Sequence, residues 1–345
     1  MAVSREVIID DVFPVSSKIT LKMVGDALIH STLIKDAKTG NSYDFKPMFK
    51  ELKDIIKNSD LLYYNAETII GGKYYGYSGY PSFNTPDEFA KNMISLGFNV
   101  VSRANNHTLD KGTGGLLYAC NFWNEYPNVL TNGSACTKYE RDNIRILEKN
   151  NIRYALLSYT TLTNGLIPDE DYYLNIYSDD IVKNDIAHIL GKTDVIIVAM
   201  HWGDEYSHIP NYEQRRIANY LSSLGVNIII GTHPHVIEPI EWINDTLVIY
   251  SLGNFISGQS LVNDYNRRIG LMTSIDIIKI TTSDQVKIKL TNLNTELLYT
   301  YSNRYKDYKV IPFSKIDDNI LKNYETLKEK YNDIVKYYDS SIITN

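Results

Sequence analysis

The strongest constraint on this chain is a repeated local pattern, in which short apolar runs stop abruptly at polar residues able to bind a metal or turn the backbone. Residues 19–24 run into Gly25 and Asp26, 61–64 into Asn65 and Glu67, and 98–101 into Ser102, Arg103, Asn105, Asn106 and His107. Residues 154–157 lead to Ser158 and Thr160, 195–200 to His201, Asp204 and Glu205, 228–230 to Thr232, His233 and His235, and 248–250 to Ser251 and Asn254. An unbroken apolar run of this length reads as a strand buried on both faces. Between the runs lie helical periodicities over 47–57, 86–96, 179–190 and 212–224, several opened by Pro, Asp or Asn as a helix start requires. Strand and helix therefore alternate, which predicts an α/β core with its ligands in the crevice beyond the strand ends.

From about residue 270 the texture changes to Thr/Ile/Lys alternation, which predicts antiparallel strands of a second sheet or an edge. Residues 314–338 are charged and amphipathic and read as a surface helix. No repeat and no dividing linker stands out, so the expected organisation is an N-terminal arm over 1–17, one core domain over 18–313 and a C-terminal helix and tail over 314–345. Lys and Arg number 35 against 41 Asp and Glu, a formal charge of -6 that argues against a broad electrostatic grip on nucleic acid or an anionic membrane. Cys120 and Cys136 are too few for a disulfide framework or an all-thiolate zinc site, though they leave a single bridge open. Any metal must then be held mostly by oxygen and imidazole. The N-terminal apolar run breaks at Asp10 and Asp11, too early for a signal-peptide core, and no stretch reaches the length of a membrane span. Export would need a segment outside this sequence; without one the expectation is a cytoplasmic protein.

Five of the seven histidines, His30, His107, His201, His233 and His235, sit at or just after the ends of apolar runs, whereas His188 and His208 do not. One such imidazole is ordinary. Burying five together calls for a compensating partner, and one or two divalent cations supply it. Asp26 and Glu67 are each weak signals alone, since a turn or a cap explains either. Asp110 follows His107 at a distance suited to orienting its ring. In an extended segment His233 and His235 would project to the same side, with Pro234 stiffening the presentation. Carboxylate, amide and imidazole donors suit Mn, Fe, Zn or similar ions, and a paired site of that kind performs hydrolytic chemistry on phosphoryl groups or other oxyanions.

With these residues assembled, the chain resembles the CapA family of poly-γ-glutamate capsule biosynthesis proteins, related to calcineurin-like metallophosphoesterases. The resemblance rests on Gly25-Asp26 with His30, Asn65 with Glu67, residues 104–110, residues 158–165, residues 201–206, Gln214, residues 231–236 and residues 250–255, in the family's order. It implies a metallophosphoesterase-like four-layer α/β/β/α sandwich with a dinuclear centre at the strand ends. Carried over by motif, Asp26, His30, Glu67, Asn106, His201, His233 and His235 are the expected metal ligands, His107 the general acid and Asp110 its partner. Hydroxide generated at the metals would attack while His107 protonates the leaving oxygen. Arg103 and Glu205 flank this centre and are expected to bind substrate. Asn84 follows Phe83 where the family likeness leads us to expect an arginine. Residues 71–80 form a tyrosine-rich loop that either covers the substrate or packs as a solvent loop. The implied substrate is a phosphoester or an anionic polymer such as poly-γ-glutamate, with a capsule synthase complex as a partner and a membrane-associated or extracytoplasmic location. The alternative is a non-catalytic accessory protein that binds the polymer or the synthase through a structural metal centre.

Overall fold

The structure is a computed structural model and describes residues 15–259, 265–283 and 285–344. Most of the expected N-terminal arm thus lies outside the described residues, and Val15 already opens the first strand. In chain order, β1 (Val15–Leu28), β2 (Leu61–Asn65), β3 (Val100–Ser102) and β4 (Leu130–Asn132) pair in parallel as one half of a nine-stranded sheet. A second, six-stranded sheet is built on β5 (Ile152–Thr160), β6 (Val195–His201), β7 (Ile228–Thr232) and β8 (Thr246–Ile249), again parallel, with antiparallel edge strands Ile146–Lys149 and Ile240–Ile243. The chain then returns to the first sheet. β9 (Asn254–Ser257) runs parallel to β1, and β10 (Ile269–Thr281), β11 (Val286–Asn303) and β12 (Lys306–Pro312) extend that sheet as an antiparallel meander. The late alternating segment is therefore the other half of the first sheet, joined directly to β1, rather than a sheet of its own.

Why the strands read as continuous apolar runs is visible in their two faces. Leu61 and Tyr63 belong to the core between the sheets, with Ile19, Leu21, Leu156, Ile197 and Ile230, while Leu62 and Tyr64 face the other way. Val195, Ile197 and Ala199 likewise point inward, and Ile196, Val198 and Met200 outward. Period-two alternation thus survives, but both faces are dry. On the outer face of the first sheet lie Phe89 and Met93 of helix α1 (Asp87–Ser95) and Phe122 and Trp123 of α2 (Gly112–Asn124). On the second sheet's outer face lie Val182 and Ile186 of α3 (Asp179–Ile189) and Ile217 and Leu221 of α4 (Tyr212–Ser223). Each fully buried aliphatic side chain contributes about 1.5–3 kcal/mol. The result is an α/β architecture of sheets flanked by helices.

Three elements depart from expectation. The helical pattern over 47–57 is mostly a 3-10 run, Lys46–Leu52, with only Lys53–Ile56 α-helical. Its buried pairs Phe45/Met48 and Phe49/Leu52 are three apart, the period of the tighter helix. In the charged tail, α5 (Tyr324–Val335) covers part of 314–338, and its Tyr331 and Val335 reach into the inter-sheet core. Cys120 and Cys136 are both free thiols. Among the described residues no helix is long and apolar enough to cross a membrane.

Gly25 does not turn the chain after β1, as its place beside Asp26 suggested. The strand continues to Leu28, and the register with β2 shifts between Met23 and Asp26. What requires glycine is close approach: a Cβ there would stand 1.8 Å from the Gly253 carbonyl oxygen, which accepts the Asp26 amide at 3.0 Å. That contact seats Asp26 beside the turn leading into β9. We expect Gly25→Ala to destabilise the fold by about 1–3 kcal/mol through overpacking, read as a lower urea midpoint, and to weaken metal uptake by the surviving folded protein.

Candidate metal centre

The C-terminal ends of the parallel strands in both sheets converge on one buried cluster. The first sheet contributes Asp26 near the end of β1, Glu67 just beyond β2 and Asn106 beyond β3; the second contributes His201 at the end of β6 and His233 and His235 beyond β7. Three overlapping groups have donor atoms within 4.8 Å of one another: Glu67, His201 and His233; Asp26, Glu67 and His235; Glu205, His233 and His235. His235 Nε2 lies 3.5 Å and His201 Nε2 4.0 Å from Glu67 Oε1, and the His201 and His233 rings are 4.8 Å apart. Asn106 Oδ1 meets His201 Nε2 at 2.9 Å.

Hydrogen bonds hold the donors in place. Asn65 Nδ2 donates to Asp26 Oδ1 at 2.8 Å, and its Oδ1 accepts from Ser102 Oγ at 2.8 Å. His235 Nδ1 meets Asn254 Oδ1 at 3.1 Å and Asp26 Oδ2 at 3.3 Å, which turns Nε2 toward Glu67. His201 Nδ1 meets Thr232 Oγ1 at 3.0 Å. The two histidines around Pro234 converge by a different route from the one expected. Neither is extended: His233 has φ 99° and His235 φ 60°, left-handed values that cost on the order of 1–3 kcal/mol for a non-glycine residue. Backbone strain, rather than strand alternation, aims both rings inward.

The electrostatics fit a cation. Glu67 is fully buried, and among the described residues no N–H or hydroxyl donates to either of its carboxylate oxygens, nor does the buried His233 Nδ1 have a partner. Burial, and then the negative Asp26, push Glu67 well above the usual carboxylate range. Burial opposes charge on His235, but Glu67 and Asp26 outweigh it and raise it to about 9. Burial and the neighbouring imidazoles hold His201 well below its ordinary value, and burial with His235 brings His233 down to about 4. Carboxylate oxygens and imidazole nitrogens gathered in this way form the donor set of a borderline divalent ion.

Beside the cluster lies a hollow of about 330 Å³ lined by His30, Tyr80, Phe83, His107, Glu205 and Arg267, among others. His107 Nδ1 meets Asp110 Oδ2 at 2.9 Å, and that oxygen also accepts the Phe83 amide at 2.7 Å. Phe83 packs edge-on against His107 at 4.7 Å and against His30 at 5.2 Å. His30 stands in this wall, outside the three donor groups; its Nδ1 is 3.0 Å from the Leu28 carbonyl and burial brings it down to about 4. Glu205 is exposed at the rim and joins a donor group. Arg103 is elsewhere, its guanidinium bonded to the Ser134 carbonyl at 2.7 Å and to Cys120 Sγ at 3.8 Å. Trp202 packs in the outer core and donates to the Tyr250 carbonyl at 2.9 Å. Asn84 staples the tyrosine-rich loop, accepting the Gly71 amide and donating to the Gly72 and Gly76 carbonyls, each at 2.8 Å. Asn65, Asn254 and Arg267 were not among the expected site residues. The first two end apolar runs and carried that signal; Arg267, beyond the recognisable motifs, carried none.

The raised groups set a pH dependence. Metal-free folded protein keeps a proton on His235 that the unfolded chain releases near pH 6.5, so this stabilisation is present below 6.5 and lost as pH rises through about 9. Buried Glu238, raised to about 8 by desolvation, acts in the same direction. We expect the urea midpoint in EDTA to fall from pH 6.5 to 9, by roughly 1.4 kcal/mol per pH unit for each retained proton. A bound divalent cation, displacing the proton between Glu67 and His235, should flatten that limb.

Two curated relatives are both capsule proteins. The PGA biosynthesis protein CapA of Bacillus subtilis is 30% identical over 186 residues, 51% of this chain and 47% of the relative. The capsule biosynthesis protein CapA of Bacillus anthracis is 27% identical over 254 residues, 71% of this chain and 61% of the relative. The chain thus matches about half to three fifths of their lengths. A solved NAD nucleotidase of Haemophilus influenzae superposes with a TM-score of 0.47 at 12% identity, over 96% of this chain and 64% of that chain. Residues 20–259, which contain all the donors of the buried cluster, match the model of the bacterial capsule synthesis protein PGA_cap, and the chain belongs to that family.

Proposed function

We propose that this protein is a metal-dependent hydrolase of phosphoesterase type, serving capsule biosynthesis. The observation that carries the reading is Glu67, a fully buried carboxylate that receives no N–H or hydroxyl among the described residues and is surrounded by Asp26, His201, His233 and His235. In this reading those five residues, with Asn106 and with His30 at the margin, hold one or two Mn, Fe or Zn ions in a metallophosphoesterase-like four-layer sandwich. The ions would supply Lewis acidity toward an oxyanion and a nucleophile at neutral pH. The chain's own groups do the rest. Asp110 accepts from Nδ1–H of His107, fixing the tautomer and leaving Nε2 as the nitrogen that exchanges a proton with a leaving oxygen. Phe83 packs against that ring and limits its rotation. Glu205 and Arg267 stand at the hollow's wall, where they discriminate among charged substrates. The substrate is a phosphoester or an anionic polymer of the poly-γ-glutamate kind, met in a membrane-associated or extracytoplasmic setting.

The test is metal analysis together with turnover. Untagged protein is expected to carry one to two transition-metal equivalents, lost in the His233→Ala/His235→Ala variant. Hydrolysis of bis-p-nitrophenyl phosphate or a γ-glutamyl polymer should fall about 10²–10⁴-fold in His107→Ala with metal retained. Asp110→Asn should also lower kcat, because the amide favours the wrong tautomer. Bound metal with no cleavage of either substrate, across Mn, Fe and Zn, would establish the protein as a non-catalytic capsule-assembly factor.

A further inference from the structure

A second polar hollow, of about 340 Å³, is lined by Arg103, Asn132, Glu140, Arg141, Arg145 and Asn175, among others. Its wall carries three arginines and one glutamate. Arg141 is neutralised by a two-pronged pair with Asp185, at 3.0 and 2.7 Å. The Glu140 carboxylate is engaged by Asn124 Nδ2 at 2.8 Å and the Cys136 amide at 2.7 Å. Arg103 and Arg145, among the described residues, have only uncharged oxygen acceptors: the Ser134 carbonyl for the first, and the Val129 and Pro127 carbonyls for the second. The Cys120 thiol, brought down to about 6 by Cys136 and Arg103, adds negative charge beside Arg103, but it faces Nη1.

Among the described residues two further atoms lack partners: the buried Arg103 Nε has no acceptor, and the buried Asn175 Oδ1 no donor. The two guanidiniums are also near enough to repel: burial, and then Arg103, disfavour charge on Arg145. Among the described residues neither guanidinium pairs with Glu140 or any other carboxylate, and an anion joining the two cations would offset their repulsion.

We propose that this hollow is an oxyanion-binding site, in which the carboxylate or phosphate of a small molecule bridges Arg103 and Arg145. Guanidinium forks match the planar or tetrahedral oxygens of such groups. The volume exceeds what a lone oxyanion needs, so an organic acid or phosphate monoester fits, with a hydroxyl or N–H of the ligand completing Asn175 Oδ1. The site is distinct from the metal centre, although Arg103 lies three residues before Asn106 in the chain.

Calorimetric titration of this whole chain with inorganic phosphate and, separately, with glutamate at constant ionic strength tests this. At least one probe should saturate a single site, and the arm that does identifies the oxyanion. Affinity should drop about tenfold or more in Arg145→Gln and Arg103→Gln, and persist in the His233→Ala/His235→Ala variant, whose metal centre is disabled. Arg145 is only half-buried, so its substitution remains decisive even if Arg103→Gln fails to fold. Absence of saturation by either probe, undiminished affinity in Arg145→Gln, or loss of binding with the metal centre would each overturn the proposal.

Discussion

Everything in the centre depends on a fully buried carboxylate, Glu67, to which no N–H or hydroxyl donates among the described residues. An ionised group in that position costs several kcal/mol unless a proton or a cation compensates it. Glu67 has both remedies at hand, because His235 and His201 stand 3.5 and 4.0 Å away. In the metal-free protein protons serve, which is why Glu67 and His235 are both raised while His201 and His233 are kept neutral. A cation would replace the protons and leave every donor in the state it requires. Metal affinity and proton release are then one equilibrium.

The donors also come from two sheets. Asp26 and Glu67 belong to the first, His201, His233 and His235 to the second, and the side chains between the sheets meet mainly through apolar contact, with polar ties such as Lys279 to Asp194 and the Ser158 amide to Asn132 Oδ1, each at 2.9 Å. A cation shared by the two sets is a polar cross-link at the open end of an apolar sandwich. Since it binds only the folded arrangement, its binding energy adds to stability through mass action. The left-handed backbone at His233 and His235 is a strain that this end of the fold sustains because the surrounding strands leave no alternative.

How much of this was legible follows from what each signal measures. Strands β2, β3, β5, β6 and β7 and helices α1, α3 and α4 announced themselves because both faces of the strands are dry and the helices start at Pro86, at the Ser178 cap and at the Asn211–Gln214 box. Helix α2 did not, because Gly112, Gly114 and Gly115 open it; at Gly115 a Cβ would stand 2.3 Å from the Lys111 Cβ. The buried donors were readable because they end apolar runs, and Asp26, Glu67, His201, His233 and His235 do converge. How His233 and His235 converge was not readable, since the left-handed turn depends on contacts with Asp26 and Asn254, far along the chain.

The cations were the least legible part, for a reason that bears on how the hollow works. Arg103 adjoins the central motif in sequence, yet the strand end that points Asn106 and His107 inward sends the Arg103 guanidinium to Ser134 and Cys120. Asn84 stands where an arginine was expected and spends its amide on the loop backbone, so that position contributes shape rather than charge. The guanidinium that does line the hollow belongs to Arg267, whose carbonyl accepts Asn254 Nδ2 at 2.8 Å while Asn254 Oδ1 faces His235. One asparagine therefore couples the orientation of a buried imidazole to the placement of the segment carrying the positive charge. Displacing that segment would disturb His235 and Arg267 together, so donor geometry and charge selection at this hollow are parts of one linkage.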